Sequence, residues 1–311
     1  MKFRTRRRAY LFALNKLRLP RGFTTTAIKT LGFITDPAPF WVRRSRARKL
    51  AAARSMPIGI ESRLGYRLFG TGEFHDTQQL IVDCRTAFAA SQASGVLHDN
   101  LERNAKSFLV PVLADRRDLM KIDSVRQFVL SPSVTAAVSD YFGTVPILST
   151  VDLLWTSPNN SLEKSQKYHF DTEDRRQLKL FLNIFDVDED CGPLTLVPAD
   201  ASADIRRQSG YAGGRRTRLA DEAVEQVAPQ ASIPVIGPAG SGVFLDTSRC
   251  LHFGSRSNRR ERLVLMAQYI GYYAPKLSPT DWQKGFGAAL PAINQEQRLL
   301  LRCPAVPEGV A

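Results

Sequence analysis

Acidic residues are almost missing from the first 54 positions, where Asp36 stands alone against 15 lysines and arginines. The rest of the chain holds 28 Lys/Arg and 29 Asp/Glu, so the net charge of +13 divides into +14 on an N-terminal arm and −1 on the body. A neutral body with no basic–aromatic interleaving argues against a nucleic-acid reader, and no nucleic-acid partner is expected. Cysteine is scarce too. Cys84, Cys191, Cys250 and Cys303 form no C-x-x-C pair and no zinc spacing. That excludes a disulfide framework and fits buried thiols in a reducing compartment, here taken as the cytoplasm. No apolar run approaches the roughly 18 residues of a membrane-spanning helix. The apolar stretch Ala9–Leu14 is stopped by Asn15 and Lys16, which is too soon for a secretory signal.

What is present is enough apolar material for a sizeable core, at 43% of 311 residues, in one large domain or two small ones. The expected division is a basic arm over 1–54 and a single domain over 55–311. Three readings of the arm stay open. It could be solvated and loosely packed on the body, it could meet an anionic membrane surface or an acidic partner, or it could be an Arg-rich mitochondrial leader. Its start is only weakly amphipathic. Tyr10, Leu14 and Leu17 share a helical face, but Phe12 and Leu19 fall opposite.

Within the domain the texture changes near residue 143. Ser45–Arg54 is rich in helix formers, and Leu80, Ile81, Cys84, Ala87 and Phe88 give Thr77–Ala90 a helical face. Ser131-Pro132 opens a helix that Gly143 closes. The segment 55–143 is therefore read as helical. From Val145 the chain alternates strands with Gly/Pro turns. The strands are 146–155, 178–185, 194–197, one leading into His252, and one from Arg262 to Tyr269. This pattern argues for a sandwich or barrel over 145–273. Residues 199–232 read as a long polar loop, of the kind used as a lid. Helices return at 281–286 and 295–302, giving C-terminal helices over 276–303.

Histidine is as scarce as cysteine, and two of the four histidines stand in one pattern. His169 and Asp171 are two apart on an extended segment, so both side chains point the same way. With one distant imidazole, His252, they make two imidazoles and one carboxylate. That is the facial triad of non-haem iron oxygenases, which leaves the opposite face of the metal open. Arg262 opens a strand ten residues beyond His252, and its planar fork suits a dicarboxylate. Arg256, Arg259 and Arg260 are its rivals. Lys179 and Asn183 share a strand face with Phe181 and suggest a polar interior near a co-substrate. Asp246 and Ser255 are candidates for orienting a ligand. Trp155 and Tyr168 read as core. His75 and His98 receive no role.

The region from about 145 to 273 resembles the phytanoyl-CoA dioxygenase-like family of Fe(II)/2-oxoglutarate oxygenases. The resemblance rests on His169-Phe170-Asp171, on Lys179–Asn183 with Asp186-Val187-Asp188, on Gly192-Pro193-Leu194, on Val197-Pro198, and on His252 followed by Ser255 and Arg262. Here the Pro turn continues Ala199-Asp200-Ala201 instead of the family's Gly-Ser-His. The resemblance implies an α+β, mainly β fold, with a double-stranded β-helix (jelly-roll, cupin-like) core flanked by N-terminal and C-terminal helices. It implies Fe(II) on His169, Asp171 and His252, and 2-oxoglutarate held by Arg262 with Lys179, Asn183 and Ser255 nearby. It further implies O2-dependent hydroxylation of a small organic or acyl substrate, with release of succinate and CO2. Halogenating relatives carry a small residue where Asp171 stands, so a carboxylate there favours hydroxylation. The reading from another class is a non-catalytic barrel of the same fold that binds a membrane surface or acidic partner through its arm.

Overall fold

The computed structural model describes residues 3–52, 59–74, 77–104, 106–211, 218–275 and 293–302. His75, Cys303, the expected helix at 281–286 and the arm boundary at 54 lie outside them. The fold is a mixed α/β arrangement whose sheets are antiparallel.

Three helices come first: α1 (Phe3–Asn15), α2 (Arg21–Thr35) and α3 (Ala38–Ala52). A loosely packed arm is not what forms. α1 packs on α2, and α3 packs on a later helix, α7 (Pro132–Phe142). One side chain does most to tie α3 to the body. The Arg43 guanidinium is buried and donates to the carbonyls of Val145, Pro146 and Leu299 at 2.8–3.0 Å, while stacking over the Tyr272 ring at 4.6 Å. Burial pulls its pKa down to about 9, so it stays a cation at neutral pH.

The segment 55–143 is helical for the most part, with α4 (Thr77–Ala93), α5 (Val96–Arg103), α6 (Asp123–Val129) and α7. The helix starts and stops follow local chemistry. Ser131 accepts from Val134 N at the start of α7, and Gly143 closes it at φ 67°, a conformation that favours a residue without Cβ. Two short strands correct the purely helical reading. β1 (Tyr66–Phe69) and β2 (Val110–Pro111) form the two edges of the large sheet. Each is too short for an alternation to show in sequence, and Pro111 suits only an edge.

The large sheet runs β1-β7-β4-β9-β3-β2, with β3 (Ile147–Thr156), β4 (Gln177–Asn183), β7 (Gly242–Asp246) and β9 (Arg262–Ile270). Its residues alternate between two environments, as strand geometry demands. Leu178, Leu180, Leu182, Leu263, Leu265 and Tyr269 join the main core with the helices. Lys179, Phe181, Arg262, Val264 and Met266 line a cavity on the other face. Gly242 is needed where β7 meets β4, because a Cβ there would lie 2.0 Å from the Phe181 carbonyl oxygen. A second sheet of β5 (Thr195–Leu196), β6 (Ile233–Pro234) and β8 (His252–Phe253) runs β6-β5-β8. It is tied to the chain before β4 by a bridge between His169 and His252. Val243 and Leu245 of the large sheet pack against Leu196 of the small one and Leu194 just before it.

Between β5 and β6, the polar loop expected over 199–232 is largely helical in its described part. α8 (Ala199–Gln208) and α9 (Asp221–Glu225) flank residues that are not described. α8 buries only Ala199, Ser202 and Ile205, so its sequence shows one large apolar residue and reads as polar. α10 (Gln295–Leu300) carries an Asn294 capping box and buries Leu299 and Leu300 against the core. No helix among the described residues is long and apolar enough to cross a membrane.

Candidate metal centre

His169, Asp171 and His252 come together although 81 residues of sequence separate the second from the third. Antiparallel pairing does this: His169 and His252 exchange backbone hydrogen bonds at 3.1 Å, and Asp171 N donates to Thr247 O at 2.8 Å. One ligand atom from each of the three residues lies within 4.8 Å of the others. His169 Nε2 is 3.9 Å from Asp171 Oδ1, and His252 Nε2 is 3.8 Å from Asp171 Oδ2. The imidazole rings sit 4.3 Å apart between centroids.

The tautomers follow from the hydrogen bonds. His169 Nδ1 lies 2.9 Å from Lys167 O, and His252 Nδ1 lies 3.0 Å from Cys250 O. A carbonyl only accepts, so each Nδ1 carries the proton and each Nε2 keeps its lone pair toward Asp171. Burial, with the neighbouring His252, drops the His169 pKa to about 3. Burial also lowers that of His252, against the pull of Asp171. Both rings are therefore neutral and ready to coordinate. Burial pushes the Asp171 pKa up, but Lys179, His252 and His169 together outweigh it and hold its carboxyl far below the usual range. Lys179 Nζ is 2.7 Å from Asp171 Oδ2. Burial works against that ammonium, and Asp171 and Glu173 outweigh it to raise its pKa.

Two neutral imidazoles and one anionic carboxylate, each with a donor atom aimed at a common space, fit a divalent first-row metal. Donor–donor edges in such a site are about 3 Å, so a modest closing of the group suffices. The second hydrogen bond on each imidazole is the usual device that holds a ligating ring in place.

The cluster lines a cavity of about 330 Å³ that also receives Lys179, Ser255 and Arg262. Arg262 is 7% exposed and donates from Nη2 to Ser255 Oγ at 2.8 Å. Ser255 is in turn held by Thr156 Oγ1 at 3.0 Å and stands at φ 64°. The buried Nε of Arg262 has no hydrogen-bond partner, and no carboxylate among the described residues pairs with the guanidinium. Burial lowers its pKa to about 10, which still leaves a full charge. Its rivals are engaged elsewhere. Arg256 holds Asp221 at 2.7 Å and lies over the Phe253 ring, Arg259 faces Asp190, and Arg260 pairs with Asp188.

Other expected residues fall outside. Asn183 donates to Ser241 Oγ at 3.2 Å at the end of β4 and does not line the cavity. Asp246 accepts from Tyr141 Oη at 2.6 Å, away from the metal cluster, and burial raises its pKa. Trp155 donates to Glu261, and Tyr168 packs edge-on against Phe253. His98 is an exposed neighbour of Glu102. Missed in the sequence were Lys106, Arg116 and Asp152, all on the cavity wall. Asp152 had a visible signal, as the one acid in the apolar run of β3. It is buried, with a raised pKa and Arg116 Nε at 3.4 Å. Lys106 had none. A second cavity of about 400 Å³ opens on His169 and Asp171 from another side, past Lys106, Glu173 and Arg218.

No protein-family model matches the chain, and a search of curated proteins finds no match either. Solved structures do align. One is the epimerase SnoN in complex with Fe3+, alpha-ketoglutarate and nogalamycin RO, at 17% identity over 73% of this chain and 84% of that one, with a TM-score of 0.43. EctD from S. alaskensis in its apo form aligns at 14% identity over 83% and 84%, with a TM-score of 0.46. AviO1 from Streptomyces viridochromogenes Tue57 aligns at 18% identity over 70% and 94%, with a TM-score of 0.44.

Proposed function

We propose that the chain is an Fe(II)/2-oxoglutarate-dependent oxygenase of the phytanoyl-CoA dioxygenase-like kind, built on a double-stranded β-helix, that hydroxylates a small organic or acyl substrate. The observation that carries this reading is the meeting, in one cavity, of the two-His-one-Asp cluster and a buried arginine with no acid partner among the described residues. A buried cation left unpaired costs several kcal/mol (about 3–5 when a pair is broken). Its retention is explained if an anion arrives to complete it.

In this reading His169 Nε2, Asp171 and His252 Nε2 hold the metal, and Arg262 with Ser255 takes the far carboxylate of 2-oxoglutarate. Iron and 2-oxoglutarate, when bound, supply O2 activation with release of succinate and CO2. The chain's own part is positional. The backbone carbonyls of Lys167 and Cys250 fix the two imidazoles, and Lys179 steadies the Asp171 carboxylate. The apolar wall of Phe181, Leu194, Val264 and Met266 keeps water from the co-substrate's carbon chain. A cavity of about 330 Å³ falls in the range of small-molecule sites, and the second cavity gives a substrate its own approach to His169 and Asp171. An intact Asp171 favours hydroxyl transfer over halogenation.

The test is oxygen-dependent succinate release from 2-oxoglutarate by the iron-loaded chain, first without and then with a panel of candidate substrates. Slow uncoupled release that disappears in His252→Ala supports the reading. Release equal in the wild type and in His252→Ala, or none in either under any condition, contradicts it.

A further inference from the structure

α2 is built inside out. Phe23, Ala27, Leu31 and Ile34 fall at i, i+4, i+8 and i+11, which makes one stripe on a helix. That stripe faces outward, with Phe23 63% and Ile34 67% exposed, while Thr24, Thr25 and Ile28 are buried beneath it. The Thr24 hydroxyl satisfies itself on Pro20 O at 3.0 Å, so the buried face needs nothing from solvent. A helix that met only water would turn the other way. The neighbouring helices continue the pattern. Phe12 of α1 is 58% exposed, and Trp41 of α3 is 57% exposed. Trp41 shares a surface depression with Arg44, Arg48 and Lys49, and Arg8, Lys16 and Arg18 are exposed on and just after α1.

We propose that this outer face of α1, α2 and α3 is a docking surface for an anionic lipid bilayer, on which the helices lie in the headgroup layer. An apolar stripe on α2 is open to solvent, cations are exposed on α1 and α3, and an exposed tryptophan of α3 sits among the cations of its own helix. The arm's 15 Lys/Arg against one Asp give the matching charge. Arg43 is spent on backbone carbonyls, Lys29 on Asp174 at 2.7 Å and Arg46 on Glu296 at 3.8 Å, while Arg8, Lys16, Arg18, Arg48 and Lys49 stay exposed. A second copy of the chain fits poorly, because a two-fold contact would set one +14 arm against another. The inference stands apart from the catalytic reading and does not depend on it.

Vesicle flotation with the full chain tests it, using phosphatidylcholine alone and phosphatidylcholine mixed with phosphatidylglycerol. The chain is expected to float with the mixed vesicles only, and less so as salt rises. The emission of Trp41 should shift to the blue on binding, a shift absent in Trp41→Phe. The exposed triple variant Phe23→Ser, Leu31→Ser, Ile34→Ser should weaken binding on the order of a hundredfold or more. Arg48→Glu with Lys49→Glu should weaken it at least about tenfold. Both should keep the wild-type melting temperature, since none of these side chains is buried. No binding to mixed vesicles, or binding that both variants leave unchanged, overturns the proposal. So does a wild-type dimer that the triple variant turns into a monomer, which would assign the stripe to a second copy.

Discussion

Arg262 is a charge stored in a dry place. Its guanidinium has one hydrogen bond to Ser255 and an orphan Nε. Such a residue costs stability unless an anion arrives to complete it. Arg262→Leu is therefore expected to lower 2-oxoglutarate affinity by about 2–5 kcal/mol, and to leave the melting temperature of the ligand-free chain unchanged or raised. Arg256→Leu and Arg260→Leu, whose partners are Asp221 and Asp188, should leave 2-oxoglutarate affinity near wild type. Calorimetric titration with the metal already bound separates the three. A wild-type Arg262→Leu beside a crippled Arg256→Leu would move the anchor.

The two site histidines make the ligand-free chain acid-sensitive. The His169 pKa is held at about 3 against 6.5 in a free chain, and His252 is shifted the same way. Above about pH 6.5 both folded and unfolded states carry neutral rings, so nothing is lost. As pH falls below 6.5 the unfolded chain takes up protons that the native chain refuses. Stability then drops by up to about 1.4 kcal/mol per pH unit for each histidine until the folded pKa is reached. Asp171, held below its free value, adds a loss of the same sign at still lower pH. Urea melts between pH 7 and pH 4 check this: His169→Phe with His252→Phe should flatten the slope. An equal slope in that variant would place the proton uptake elsewhere.

At this scale the grouping of His169 with Asp171 was legible because the two sit two apart and need only local geometry. The choice among the arginines was not. It depends on which of them find acids, and Asp188, Asp190 and Asp221 reach them only through the folded chain. The pairing of Lys179 with Asp171 was invisible for the same reason.

Among the elements, α3 decides what the arm is. Arg43 joins it to the start of β3 and to α10 through three backbone carbonyls. Arg43→Leu strands those acceptors and is expected to cost about 3–5 kcal/mol, whereas the exposed Arg48→Leu should stay within about 0.5 kcal/mol. Chemical denaturation measures both. Equal midpoints for the two variants would show that α3 is an appendage after all. With Arg43 integral to the fold, a truncation at residue 54 should fail as a soluble fold, while removal of α1 alone should be tolerated. α4 and α7 were readable from period and caps. α8 was not, since a helix that buries Ala199, Ser202 and Ile205 leaves little hydrophobic signal. β1 and β2 escaped because four- and two-residue edge strands carry no pattern.

In the whole molecule, two antiparallel sheets face each other, helices seal the outer side of the large one, and the cavity lies between. Strand alternation puts leucines on one side of β4 and β9 and the working groups Lys179 and Arg262 on the other. The fold thus sets the His–Asp–His cluster and the proposed anion anchor on opposite sheets of one cavity: β8 and the chain leading to β4 bring the histidines, and β9 brings the arginine. The central claim is that these two halves act as one site. Anaerobic titration of the metal-free chain with Fe(II) and then 2-oxoglutarate tests it most directly. The account predicts one iron per chain and a visible charge-transfer band that appears only when both are present. The band should be lost with the iron in His252→Ala, and should need far more 2-oxoglutarate in Arg262→Leu with iron still bound. Iron uptake unchanged by His252→Ala, or a band that forms equally well in Arg262→Leu, would contradict it.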